Sequence, residues 1–280
     1  MTGEYGMDNL VQELAGWITQ HETLIRLGTF LGLLLVMALL QALIPRRAPT
    51  VDGPARYRRW GSNLLLVVLS TLLVRVLLPV SASAFALLVE KHDLALLGFN
   101  LPILVAVLVL DMLIYLQHRL FHTFPLLWRL HKVHHSDHWL DVTTALRFHP
   151  LEILLSMLIK FSAIWLFGIP VLAVILFEII LNGMALFNHA NIRLPRERWW
   201  RWVVVTPDMH RIHHSVYRQE HDSNYGFNLS CWDRLLGSYV AEPRDGQVMM
   251  RIGIPRYREG EVRLWPLLLM PFRRRRRVLP

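Results

Sequence analysis

The chain has 280 residues, a formal net charge of +9 and a mean hydropathy of +0.35, with 54% hydrophobic residues. Its apolar residues gather in blocks, which excludes an ordinary soluble domain and places the chain in the membrane class. The basic excess does not argue for nucleic acid, because it lies in loops and a tail where membrane topology and anionic lipid both favour it.

In chain order, residues 23–44 carry one charge and are long enough to span a bilayer. No positively charged region precedes them and no small-residue cleavage site follows, so they read as an anchor rather than a signal peptide. Residues 62–89 form a second span, interrupted by Arg75 and Pro79, and a third runs from about 95 to 117. Residues 151–189 hold two apolar stretches separated by Gly168-Ile169-Pro170, the pattern of a helical hairpin. Lys160 and Glu178 each stand nine residues from Ile169. A hairpin turning there sets them at similar depth, where charges inside a membrane pair. One long helix kinked at Pro170 would put them on opposite sides of the bilayer. Residues 262–272, followed by Arg273 to Arg277, are too short to span and read as an interfacial anchor.

Charge sets the orientation. The segment before residue 23 has Glu4, Asp8, Glu13 and Glu22 and no lysine or arginine, whereas the next loop has Arg46, Arg47, Arg56, Arg58 and Arg59. By the positive-inside rule the N-terminus is outside and that loop is cytoplasmic. Residues 118–150 and everything after 190 are then cytoplasmic too. The expected fold is all-α: an integral membrane bundle of about three spans plus a helical hairpin, with a cytoplasmic histidine-rich helical cap. The expected divisions are an anchor over 1–95, a catalytic domain over 96–240 and a basic tail over 241–280. A bacterial inner membrane is the expected location.

The chemistry lies in the histidines. His131-x-x-His134-His135 and His210-x-x-His213-His214 repeat one box, and His118-x-x-x-His122 precedes the first. Histidine is 14 of 280 residues, so one such box is expected only about 0.04 times by chance. Spacings of three and four put side chains on one helix face, and imidazole is the commonest metal ligand. A basic, histidine-rich segment is ordinarily a solvated surface helix, but the recurrence of the box argues against that reading. The boxes contain no carboxylate, unlike the Glu-x-x-His motifs of soluble di-iron bundles. A catalytic zinc needs three protein ligands, so eight imidazoles suit two metals. Residue types alone do not choose among iron, copper, nickel and zinc.

In membrane context the H-x-x-x-H and paired H-x-x-H-H motifs resemble the fatty acid hydroxylase/sterol desaturase superfamily, over roughly residues 100–240. Supporting segments are Asp111 seven residues before His118, Arg147-Phe-His149-Pro-Leu-Glu152, Asn188-His189-Ala-Asn, Asp222-Ser-Asn224-Tyr225-Gly226 and Trp232-Asp233-Arg-Leu-Leu-Gly237. The resemblance implies two iron ions held by histidines that activate O2 to hydroxylate or desaturate a lipid C–H site. It makes the eight box histidines ligands and His189 a ninth. Ala185 stands where the fatty-acid 2-hydroxylase branch has a further histidine, which argues against that branch. The RFHPLE and NHAN segments look more like bacterial members that carry only the sterol desaturase label.

Around the metals, Asp111, Asp208 and Asp233 are expected to receive free imidazole N–H groups. His149 and Asn224 are expected beside the metals or the substrate, and His138 in an outer or surface position. His21, His92 and His221 are expected to be structural or exposed. A lipid should enter laterally from the bilayer. Cys231 is the only cysteine, which excludes a chain-borne four-cysteine cluster, so reducing equivalents must come from a separate electron-donor protein. A zinc-dependent hydrolase would call for a motif such as H-E-x-x-H, which is absent. A metal transporter would place histidines along a path through the spans.

Overall fold

The computed structural model describes residue 13 and residues 16–48, 53–257 and 263–273. Glu4 and Asp8, used above for orientation, and Arg274 to Arg277 beside the interfacial segment lie outside the described residues. The regular elements of the described residues are all helices, joined by long loops, without a named strand. Among the described residues, five helical stretches are long and apolar enough to cross a membrane.

Helix α1 (Glu22–Leu43) matches the first expected span. The second begins earlier than its apolar run: α2 covers Gly53–Leu77 and α3 covers Ala82–Lys91. Three arginines assigned to a loop therefore lie on the first turns of α2. Arg59 is 1% exposed, because Asp137 at 3.0 Å and Asp141 at 2.8 Å pair with its guanidinium. The break falls where Pro79 drives its predecessor out of the helical region, and Ser81 restarts the chain by accepting from the Ala84 N–H at 3.0 Å.

Helix α4 (Ile103–Thr123) lies later than expected and carries His118 and His122 within it. Residues before it form a loop instead, with the Leu96 and Leu97 amides donating to the carbonyls of Trp165 and Leu166 at 2.9 Å. Helix α5 (Pro125–His135) follows, opened by a proline at its first position. The hairpin is present as α6 (Pro150–Phe167) and α7 (Val171–His189). Gly168 turns it in the left-handed region (φ +66°). Lys160 and Glu178 pair across it, and Arg26 of α1 reaches the second oxygen of Glu178 at 2.8 Å.

Small residues let the helices approach closely. Ala82 and Ala86 of α3, Ala106 of α4 and Ala173 of α7 are buried together with Leu110, Ile164 and Phe177. The outward faces stay apolar, with Leu24, Leu35, Leu65, Leu72 and Leu104 between 49% and 71% exposed. The C-terminal ends of α1, α4 and α7 and the N-terminal ends of α2 and α6 meet at one end of the bundle. Pro45 bridges to Ile192 there, and Arg46 reaches Asp208 at 3.0 Å. The histidine boxes occupy this end. The segment from Leu264 to Phe272 is not simply a surface anchor: Leu267 and Met270 are buried with Leu66 and Val133, leaving Trp265, Leu269 and Phe272 exposed.

Candidate metal centre

Three of the helices named so far and a fourth bring nine histidines together. His118 and His122 come from α4, His131, His134 and His135 from α5, and His189 from the last turn of α7. After the short α8 (Glu197–Trp200), α9 (Pro207–His213) supplies His210 and His213, with His214 at its C-cap. Thr206 caps α9 by accepting from the Met209 N–H at 3.3 Å.

The nine fall into two groups. His118, His122, His131, His135 and His213 form one; His134, His189, His210 and His214 form the other. Within each group the candidate ligand atoms lie within 4.8 Å of one another. Each box is divided between the groups, since residues i and i+4 of α5 point to one side while i+3 leads to the other. The first box gives His131 and His135 to the five-membered group and His134 to the four-membered group. The second gives His213 to the former and His210 and His214 to the latter.

Proton positions test whether these rings suit metals. The His118 Nδ1–H donates to the Tyr225 carbonyl at 2.8 Å, and the His131 Nδ1–H donates to Glu152 Oε1 at 2.6 Å. In a neutral ring this leaves each Nε2 as a bare lone pair. Those two Nε2 atoms lie 3.1 Å apart, a repulsive contact that a cation between them would relieve. His213 repeats the pattern, its Nδ1–H donating to the Ser223 carbonyl at 2.7 Å while its buried Nε2 has no hydrogen-bond partner. His189 donates from Nδ1 to the Ala185 carbonyl at 2.7 Å, and its Nε2 lies 2.9 Å from that of His210. Burial pushes His131 down to about 3. Burial and neighbouring imidazoles hold His134, His135, His210, His213 and His214 well below the ordinary histidine range. The rings are neutral at pH 7, the form that binds metal.

The surrounding residues differ from expectation. The Asp111 carboxylate meets no histidine; it accepts from Trp232 Nε1 at 2.8 Å and the Leu229 N–H at 3.3 Å. Asp208 pairs with Arg46 and Arg211, tying the end of α1 to α9. Asp233 acts at one remove. It accepts from the amides of Tyr225 at 2.7 Å and Gly226 at 2.8 Å, and so holds the turn whose carbonyl receives His118. Burial raises its carboxyl to about 6 against the pull of those donors. Asn224, left-handed at φ +47°, donates to the Met209 and Val240 carbonyls. The loop it shapes offers Ser223 and Tyr225 carbonyls to two histidines. His149 uses both ring nitrogens elsewhere: one accepts from the Leu151 amide at the start of α6, the other donates to the Leu268 carbonyl at 3.2 Å. His138 contacts the Ile252 and Tyr257 carbonyls.

Two contributors escaped the sequence reading. Glu152 appeared there only as the last residue of a supporting segment, yet it supplies the one carboxylate within 3 Å of a box histidine among the described residues. His221 is not simply structural or exposed. It stacks on Trp128 at 5.0 Å, lies 5.4 Å from His122, and shares Asp222 with it at 3.3 and 3.4 Å. A cavity of about 50 Å³ touches both groups through His118 and His134, and is walled by Ile114, Phe121, Phe148 and Phe227.

The bundle and its nine buried imidazoles define an all-α membrane protein with clustered histidines fit for a di-iron-type metal site. Residues 103–238 match the family of fatty acid hydroxylases, and this stretch places the chain's histidine-bearing part in the fatty acid hydroxylase/sterol desaturase superfamily. It is 34% identical over 131 residues to the ornithine lipid hydroxylase OlsE of Rhizobium tropici, covering 47% of this chain and 39% of that protein. It is 32% identical over 143 residues to the alkylglycerol monooxygenase of Homo sapiens, covering 49% and 30%. The Xenopus tropicalis alkylglycerol monooxygenase is 32% identical over 129 residues, 46% of this chain and 28% of that protein. The chain thus spans well under half the length of these relatives. No solved structure matches it.

Proposed function

We propose that the chain is a membrane-bound, O2-dependent di-iron oxygenase that hydroxylates an aliphatic C–H site of a lipid, with desaturation as the alternative outcome. The observation that carries this reading is the division of nine neutral, buried histidines into two groups of candidate ligands. His118, His122, His131, His135 and His213 would hold one iron, and His134, His189, His210 and His214 the other. Bound iron would supply O2 activation at this end of the bundle. Glu152 and the Tyr225 and Ser223 carbonyls keep protons on Nδ1 of His131, His118 and His213, leaving Nε2 as the nitrogen that would ligate iron. Ile114, Phe121, Phe148 and Phe227 give an alkyl segment an apolar seat next to both groups and limit water there.

The relatives' names favour hydroxylation: one is a lipid hydroxylase and the others are monooxygenases of an alkyl lipid. By the arginine argument the histidine end faces the cytoplasm, where a separate electron-donor protein would reach it. A single catalytic zinc would leave most of the nine imidazoles without a task. Metal analysis of the purified protein tests the reading. About two irons per chain support it, and one zinc with no iron overturns it. Lipid profiles of a deletion strain against its parent would identify the substrate, as the species that accumulates without its hydroxylated product.

A further inference from the structure

The segment Arg196-Glu-Arg-Trp-Trp-Arg-Trp-Val203 has no role in the reading above, and its side chains are divided unusually. Arg201 is buried, paired with Glu197 and donating to the Ala241 carbonyl at 2.8 Å. Trp199, Trp200, Trp202 and Val203 are instead 54% to 65% exposed. The patch continues onto the next layer of chain. The Arg234 guanidinium lies 4.4 Å over the Trp202 ring, and the neighbouring Leu235 and Leu236, at the end of helix α10 (Cys231–Leu235), are 72% and 40% exposed. A contiguous apolar surface of this kind on a water-facing cap would be an unexplained cost.

Its depth resolves the difficulty. The Val203 carbonyl accepts from the Ser230 amide at 3.2 Å, and the adjoining Leu229 and Trp232 both donate to Asp111. Asp111 lies seven residues before His118 on α4, about 10 Å further toward the middle of the span. The patch therefore sits beside the membrane-crossing part of α4, whose neighbouring Leu116 and Leu120 are 43% and 45% exposed. Its backbone is prepared for a low-water setting, since the Trp202 and Val203 amides donate to the Trp199 and Trp200 carbonyls. Tryptophan concentrates at the boundary between headgroups and acyl chains. Arg193, Arg196 and Arg198 are exposed nearby, placed for anionic headgroups.

We propose that Trp199, Trp200, Trp202, Val203, Leu235 and Leu236 form a shoulder of the histidine end that is embedded in the bilayer interface, with lipid as its occupant. The chain then grips the membrane through more than its spanning helices. The shoulder also joins lipid to site directly, because Val205 follows it in sequence and Thr206 caps the helix carrying the second histidine box. This inference does not depend on which reaction the histidines support.

Spin labels placed singly at Trp202→Cys and Leu235→Cys, in a Cys231→Ser background, test it in nanodiscs of phosphatidylglycerol and phosphatidylethanolamine. Leu104→Cys on the outer face of α4 gives the lipid reference and Arg218→Cys, with its side chain 89% exposed, the water reference. Both shoulder positions are expected to relax more with oxygen than with a water-soluble nickel chelate, as Leu104→Cys does. Relaxation dominated by nickel places the shoulder in water and overturns the proposal. Exclusion of both reagents means that protein covers it, for example a second copy, and overturns it equally. If Trp202→Cys fails to fold, Leu235→Cys decides alone.

Discussion

Glu152 Oε1 accepts the Nδ1–H of His131 at 2.6 Å, linking the first turn of α6 to the first histidine of a box 21 residues earlier. Both side chains are buried, at 5% and 3% exposure, so water does not compete for the contact. Carboxylates in this position fix the tautomer and orientation of a metal-binding imidazole, and their loss commonly costs about 10–100-fold in metal affinity. Glu152→Ala is expected to lower retained iron after dialysis against a chelator, with Glu152→Gln between it and the parent because an amide oxygen still accepts. Equal iron in all three proteins would falsify this role.

The two-group arrangement makes a second, separable prediction. His131→Ala and His213→Ala remove members of the five-histidine group, whereas His134→Ala and His214→Ala remove members of the four-histidine group. All four are expected to abolish turnover and reduce iron per chain. Mössbauer spectra of the remaining iron should resemble each other within a pair and differ between pairs. Purified variants with unchanged iron would overturn the ligand assignment.

Gly226 sits where a side chain has no room. A Cβ there would lie 2.6 Å from Asp233 Oδ2 and 2.9 Å from the Leu229 carbonyl. Both neighbours are held, Asp233 by the Tyr225 and Gly226 amides themselves. Gly226→Ala is therefore expected to displace the turn that receives His118, at a cost of about 1–3 kcal/mol as overpacking. Thermal unfolding in detergent and iron content should fall together. A variant with the parent's melting temperature and iron content would show that the turn yields without consequence.

The buried charges between α6 and α7 respond asymmetrically. Removing Lys160 leaves Glu178 with Arg26 at 2.8 Å, whereas removing Glu178 strands Lys160. Breaking a buried pair from one side costs about 3–5 kcal/mol when the remaining charge has no partner. Glu178→Gln is expected to approach that loss and Lys160→Met to fall short of it. Changing both residues to apolar ones should recover most of the stability. Equal losses in the two single variants would mean that Arg26 does not compensate.

Much of this molecule was written locally in the chain. Apolar blocks, the break at Pro79 and the Gly168-Ile169-Pro170 turn set the helices, because each is a property of a few neighbouring residues. The depth match of Lys160 and Glu178 was legible for the same reason, since a turn fixes the register of what flanks it. The repeated boxes named the chemistry, as three- and four-residue spacings place imidazoles on one face whatever the helix packs against.

Packing between distant segments decided the rest. The repeated boxes call for two metals without saying which histidines share one; each box is divided between two groups, an outcome set by how α5 and α9 face each other. Asp111 and Asp208 have the right charge beside the right motifs, but their oxygens go to Trp232 and Arg46, from segments 121 and 162 residues away. Glu152 had no motif of its own and gained its place because α6 starts beside α5. A buried carboxylate takes whichever donor the fold brings within about 3 Å, and sequence separation carries no record of that distance. The sequence by itself determined which elements are long and apolar enough to cross a bilayer and which side chains can bind metal. Only the tertiary structure decided which histidines share a site, which acceptors hold their protons and which tryptophans are left facing outward.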